Sequence, residues 1–167
     1  MATAGYRALK GREFGFNTRG QVLWKMKPVL AEIRGLGQDF YVDSGVDRAS
    51  GLNPDEAAGT VDELVDNCAA SNGDRIIVLP GHSETFTATD LTLDVVGVAV
   101  LGLGWGGTRP TFSMNHANAK VSVTVDDVEI DGLVFNADVT AVTVGIEIAD
   151  AADDCRVGNC EFDTVLA

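Results

Sequence analysis

The sequence predicts an all-β chain folded as a short parallel β-helix of about three to four rungs, with a capping helix before the rungs and an extended arm before the helix. Three observations predict it. One eight-residue phrase occurs three times, as Val98-Ala-Val-Leu-Gly-Leu-Gly-Trp105, Val128-Glu-Ile-Asp-Gly-Leu-Val-Phe135 and Cys155-Arg-Val-Gly-Asn-Cys-Glu-Phe162, at spacings of 30 and 27 residues. Each copy follows another apolar alternation: Leu91 and Leu93; Val121, Val123 and Val125; Val144, Ile146 and Ile148. Polar turn residues, such as Asp126-Asp127 and the run from Asp150 to Asp154, separate the two. An antiparallel sandwich also alternates and turns, but nothing in it would repeat one phrase with its break at a fixed offset.

The chain begins with residues 1–39, read as a basic attachment arm. Residues 1–40 carry seven Lys or Arg against three acids, whereas residues 41–167 carry five against 22, within a chain of net charge −13. Clustered Lys or Arg is what phosphate contacts need, so the acidic body is excluded as a nucleic-acid binder, and nucleic acid is not the expected partner of the arm either. Tyr6, Arg7, Arg12, Phe14, Phe16, Arg19, Leu23, Trp24 and Lys25 are the expected partner-binding residues, because aromatic groups beside basic ones suit docking on protein. Glycines at 5, 11, 15 and 20 interrupt this stretch. Only Lys27 to Arg34, with Pro28 near its start, reads as a short helix. The arm is expected to order by lying along another subunit; a strand-rich flap on the chain's own body is the alternative.

Residues 40–73 read as a lead-in. Phe40-Tyr-Val-Asp-Ser-Gly45 is a strand running into a turn, followed by a polar loop to Gly59. Thr60-Val-Asp-Glu63 forms a capping box, and Val61, Leu64, Val65 and Cys68 make the apolar stripe of the helix it starts. Asn72-Gly73 supplies the exit. A solenoid exposes apolar groups at its first rung, and this helix is the expected cover.

Residues 74–167 hold the rungs, opening with Arg75-Ile-Ile-Val-Leu79 and the turn Pro80-Gly81. In the repeated phrase the apolar offsets 0, 2, 5 and 7 predict two short strands sending alternate side chains inward. Inward positions are therefore expected at Val98, Val100, Leu103 and Trp105, at Val128, Ile130, Leu133 and Phe135, and at Cys155, Val157, Cys160 and Phe162. Offset four is occupied by Gly102, Gly132 and Asn159, residue types that reach positive φ at least cost, so they are the expected structural corner. Cys155 and Cys160 read as small buried apolar residues; with Cys68 the three cysteines imply no disulfide framework. No long uninterrupted apolar run is present, so no membrane span is expected, and the N-terminus lacks a secretory signal pattern.

The order of these parts resembles a known family. Phe40-Tyr-Val-Asp-Ser-Gly45, Ala70-Ser-Asn-Gly-Asp74, Arg75-Ile-Ile-Val-Leu-Pro-Gly-His82, Asp131-Gly-Leu-Val-Phe135 and Gly158-Asn-Cys-Glu-Phe162 together look like the opening of pectate-lyase-like right-handed parallel β-helix proteins. Within that group they are most similar to virion structural proteins of tailed bacteriophages and archaeal viruses, of the fibre, spike or decoration type. The resemblance covers roughly residues 40 to 167 and implies a right-handed solenoid, location in the virion, other virion proteins of capsid, neck or tail as partners, and a homo-oligomer with a trimer favoured.

It also implies the different-class alternative, a polysaccharide-degrading or receptor-binding tailspike, whose chemistry uses carboxylates in a groove. A cleaving pair needs two facing acids at separations of about 5 Å or about 6.5 to 9.5 Å. Glu129, Asp131, Glu147 and Glu161 point outward by the pattern and are the candidates, but outward acids are expected by default on a chain this acidic. His82 and His116 have no Ser or Cys visibly paired to them and read as turn-stabilising or solvent-facing histidines. Asp126, Asp127, Asp150, Asp153 and Asp154 lack a calcium-site spacing and read as solvated turns. The expectation is therefore a non-enzymatic protein with no catalytic residues, no cofactor and no metal. The third copy ends near the last residue of the sequence with no capping segment, so Val157, Cys160, Phe162 and Val165 are expected to be covered by further polypeptide or by a partner.

Overall fold

A computed structural model describes residues 14–16, 22–24, 27–28, 37–46, 50–87 and 91–164. The chain divides into two compact units, Met1–Leu36 and Gly37–Ala167. In the first, β1 (Phe14–Phe16), β2 (Val22–Trp24) and β3 (Lys27–Pro28) form an antiparallel three-stranded sheet in which Phe14 is opposite Trp24 and Leu23 is opposite Pro28. The helix expected from Lys27 to Arg34 is not what its first two residues adopt. Pro28 lacks an N–H and fits an edge strand as well as a first helical turn.

The second unit is a parallel β-solenoid of about three turns. Its strands are β4 (Asp39–Val42), β5 (Arg75–Val78), β6 (Ser83–Phe86), β7 (Leu91–Leu93), β8 (Ala99–Gly102), β9 (Thr111–Met114), β10 (Val121–Val123), β11 (Glu129–Asp131), β12 (Val134–Ala137), β13 (Ile146–Ile148), β14 (Arg156–Gly158) and β15 (Glu161–Thr164). They lie in three parallel sheets ordered β14-β11-β8-β5-β4, β15-β12-β9-β6 and β13-β10-β7. Because like strands stack in register, like residues stack in columns. Phe40, Ile76, Val100, Ile130 and Val157 form one column; Leu91, Val121 and Ile146 form another. The two-residue alternation points these groups inward, Val157 at the last rung remaining exposed, and each fully buried Val, Leu, Ile or Phe contributes about 1.5–3 kcal/mol.

Tight turns between strands also stack. Gly73, Gly97, Asp127 and Asp154, each two residues before a strand of the five-stranded sheet, all have positive φ, between 54° and 79°. Asp127 and Asp154 thus do the work of glycine, as short polar side chains tolerate this region. The Asp153 N–H donates to the Asp126 carboxylate at 2.8 Å, so the acids of these turns bind neighbouring turns together.

The phrase's inner positions follow the expectation fully in its second copy, where Val128, Ile130, Leu133 and Phe135 are all buried. The first copy departs from it. Gly102 and Gly132 lie level, but one residue separates Gly132 from β12 whereas eight separate Gly102 from β9, a seven-residue insertion. Leu103 and Trp105 ride on that insertion and are exposed, Trp105 by 90%. Pro110 and Phe112 take the places that Leu133 and Phe135 hold in the next rung. The corner assignment changes too. Gly132 (φ 79°) and Asn159 (φ 47°) have the left-handed backbone expected of them, whereas Gly102 does not; in its rung Gly104 (φ 128°) and Gly106 (φ 53°) have positive φ. Gly102 is required for closeness instead, since a Cβ there would lie 2.6 Å from the Gly132 carbonyl oxygen.

The two ends of the solenoid differ. At the start, α1 (Asp62–Val65) lies against β7, with Val61, Leu64 and Val65 buried. Its capping box forms, the Glu63 N–H donating to the Thr60 hydroxyl and the Glu63 carboxylate accepting from the Gly59 and Thr60 N–H groups. The free edge of β4 is paired by Gly51 and Ala58. Asp74 is buried and accepts from the Gln38 and Ala69 N–H groups and the Asn72 amide, each at 2.7 Å. At the other end β13, β14 and β15 are each outermost in their sheets, and Val144, Ile148, Val157 and Phe162 are exposed, Phe162 by 60%. Val165 lies outside the described residues.

Candidate functional site

Two polar constellations sit on this frame, one under the N-terminal cover and one at the second corner. The first centres on His82, expected in a turn and found buried. Its Nδ1 accepts from the Ser44 N–H at 2.9 Å, which leaves Nε2 as the protonated nitrogen facing the Glu84 carboxylate at 3.3 Å. Glu84 occupies the inward position that Phe112, Phe135 and Phe162 fill in later rungs. Its carboxylate also accepts from the Val61 N–H at 3.1 Å. An acid replaces an aromatic here because the cover brings backbone N–H groups that need an acceptor. The pair ties β4, β6 and the start of α1 together. His116 is exposed, and its Nδ1 accepts from the Asn118 N–H within one turn.

The second constellation lies beside the insertion. Gly102, Gly104, Trp105, Gly106, Arg109, Asp131, Gly132 and Asn159 line an open groove of about 640 Å³. Arg109 spans three rungs from its edge. Its Nη1 pairs with Glu161 at 3.0 Å, Nη2 donates to the Leu133 carbonyl at 3.2 Å and to the Asn159 carbonyl, and Nε points at the Gly132 carbonyl at 3.4 Å. A planar five-donor fork suits carbonyls left open where the chain turns. Asp131 accepts from the Asn159 amide at 3.1 Å through both carboxylate oxygens, with Arg156 Nη2 at 3.7 Å.

The acids weighed as a cleaving pair are all in ion pairs: Glu129 and Asp131 with Arg156, Glu161 with Arg109, and Glu147 with the Lys120 ammonium at 2.8 Å. Cys68, Cys155 and Cys160 are free and partly buried against the core. Burial, and after it the Asp74 carboxylate, pushes the Cys68 thiol up to about 12. Among the described residues no three His, Cys, Asp or Glu side chains gather as metal ligands would.

Of the arm residues expected to bind a partner, Tyr6, Arg7, Arg12, Arg19 and Lys25 lie outside the described residues, while Phe14, Phe16, Leu23 and Trp24 fall in β1 and β2. Gly102, Gly132 and Asn159 come together as the groove's floor and wall. Sequence reasoning missed Arg109 and the exposure of Trp105. The signal was present: Thr111-Phe-Ser, Val134-Phe-Asn and Glu161-Phe-Asp share one pattern, and aligning on it would have left Leu103 to Arg109 as the surplus.

Comparison with protein-family models, with curated proteins and with solved structures found no match to this chain.

Proposed function

We propose that this chain is a structural component of a virus particle: the N-terminal anchor and β-helix base of a fibre, spike or decoration protein, attached to capsid or tail. The observation that carries this reading is the start of the solenoid: α1, a paired edge and the His82–Glu84 network close its first rung, so the rungs stack from a finished base. The likeness of residues 40 to 167 to the opening of virion β-helices supports the same assignment, as does the basic, aromatic composition of the first unit. Homo-oligomeric assembly, with a trimer favoured, belongs to this proposal.

The role is non-enzymatic in this reading, since the outward acids are committed to Arg109, Lys120 and Arg156. Purified particles probed with an antibody raised against residues 37–164 test it. Labelling at a symmetric position on capsid or tail is expected, and particles that lack the chain would refute the assignment. Release of reducing ends from bacterial surface polysaccharides, lost in Glu129→Gln or Glu147→Gln, would instead establish the tailspike alternative.

A further inference from the structure

Asn72-Gly73, where the chain leaves the cover, is the one place in the sequence where asparagine precedes glycine. An asparagine amide carbon can be attacked by the nitrogen of the next peptide, closing a small imide ring, when that nitrogen is unshielded and free to give up its proton. Glycine supplies the unshielded nitrogen, because no side chain stands beside it. Gly73 has φ 75°, and its N–H has no hydrogen-bond partner among the described residues. Asn72 itself is exposed, so water and base reach it. In Asp131-Gly132, where aspartate takes the place of asparagine, the nitrogen differs: the Gly132 N–H donates to the Gly158 carbonyl at 3.1 Å. A nitrogen held in that bond is not free to attack, so the fold singles out Asn72.

The turn around this pair is held in place. The Asn72 N–H donates to the Ala69 carbonyl at 3.2 Å, the Ser71 N–H to the Val96 carbonyl at 2.7 Å, and the Asn72 amide to Asp74 Oδ1 at 2.7 Å. The last of these bonds reaches past the Gly73 peptide to the residue after it. It keeps the amide carbon on the side of the Gly73 nitrogen, so part of the ordering that ring closure needs is already in place. The same bond matters to the fold. Asp74 is buried where three segments join, and it takes the Ala69 N–H from the end of the cover, the Gln38 N–H ahead of β4 and the Asn72 amide. A carboxylate buried so far from water depends on its donors.

We infer that Asn72 is a site of spontaneous deamidation, and that its conversion to aspartate or isoaspartate unlatches the joint at Asp74 beneath the cover. Base takes the Gly73 amide proton, the Gly73 nitrogen bonds to Asn72 Cγ, and the Cγ–Nδ2 bond breaks as ammonia leaves with a proton drawn from water. Water then opens the imide at either carbonyl carbon, giving aspartate or isoaspartate, so the net change is a water consumed and an ammonia released. Either product carries a carboxylate where the amide stood. It donates nothing to Asp74 and repels it, and the isoaspartate also reroutes the main chain through the side-chain carbon. The bonds from Gln38 and Ala69 then hold Asp74 against a second negative charge, and the joint opens more often. The change needs no enzyme and accumulates with the age of the protein. It does not depend on the particle assignment, and each can fail without the other.

The full chain is kept in mildly alkaline buffer and sampled over time by peptide mapping with mass spectrometry that separates aspartate from isoaspartate. Asn72 is expected to convert ahead of every other asparagine, at a rate within about tenfold of that in the same chain unfolded in urea. Asn72→Gln keeps an amide donor but would have to close a larger ring, so residue 72 should stay intact in it. Asn72→Asp reproduces the charge of the product. In that variant amide exchange at Gln38 and Ala69 should rise at least about tenfold over the parent, while exchange at Ile130 stays unchanged, which separates an opened joint from a lost fold. Asn72→Gln should exchange more slowly than Asn72→Asp at both amides. The inference is overturned if another asparagine converts before Asn72, or if the native chain converts more than about tenfold slower than the unfolded one. It is equally overturned if Asn72→Asp leaves both amides at the parent rate, or if Asn72→Gln loosens them as much.

Discussion

Phe112 and Trp105 compete, on sequence, for one place in the aromatic column, and substituting each in turn tests the seven-residue insertion. Phe112 is fully buried, with ring centroids 5.4 Å from Phe86, 5.8 Å from Phe135 and 6.1 Å from His82. An aromatic side chain burying about 150–250 Å² at about 25 cal/mol per Å² carries roughly 4–6 kcal/mol, and the alanine methyl keeps a part of it. Measured truncations of buried Phe cost about 3–5 kcal/mol, so Phe112→Ala is expected to cost about 4 kcal/mol. For the unit of residues 37–167, total stability at about 0.05–0.15 kcal/mol per residue is about 7–20 kcal/mol. The variant therefore folds but is visibly weakened. With an m-value of about 2 kcal/mol/M in urea, its midpoint should drop by about 2 M at unchanged slope. Trp105→Ala should stay within about 0.5 kcal/mol of the parent, as exposed substitutions do. If Trp105→Ala is as costly as Phe112→Ala, the indole belongs in the column and the insertion is wrong.

Gly132→Ala forces a Cβ onto a backbone at φ 79° and to 2.5 Å from the Gly102 carbonyl oxygen, so thermal unfolding should show a loss of at least about 2 kcal/mol. Asn159→Gly, at φ 47°, exchanges backbone strain for a lost bond to Asp131 and should stay within about 1 kcal/mol. His82→Ala strands the Ser44 N–H and one side of Glu84, a cost of about 2–3 kcal/mol, and amide exchange should rise first across Val61 to Val65. Cys68 keeps its proton to about 12 in the fold against 9.0 when unfolded. The folded state therefore binds more protons between those values, and stability should fall as pH rises through that window. Cys160 shifts in the same direction, so Cys68→Ala should reduce the slope of a pH titration of stability without abolishing it. At pH 8 the native Cys68 should react slowly with a thiol reagent, and rapid modification would refute its protected state.

How much of the fold was legible depends on how far each residue's role is local. The middle copy of the phrase, Val128 to Phe135, has neighbours on both sides, so period-two alternation alone gives every inward position. In the third copy the inward geometry is the same, with Phe162 stacked on Phe135 at 5.2 Å and 16°, but burial also requires a next rung, which no local pattern encodes. The capping box at Thr60 and Glu63 was readable because both partners lie within one turn. The His82–Glu84 network was not, since its meaning comes from Ser44 and Val61, 38 and 23 residues from their respective partners.

The candidate groove was hidden for a related reason. Gly102-Leu-Gly-Trp105 mimics Gly132-Leu-Val-Phe135 so closely that a Trp at the last offset reads as core, and only register across rungs shows that Thr111-Phe-Ser is the true counterpart. An insertion in a solenoid keeps the columns intact and places its surplus outside them, where packing no longer selects the residues. Part of the choice of residues from Leu103 to Arg109 still follows from the rungs, because Arg109 staples three of them, while Gly104 and Thr108 close the loop that carries Trp105.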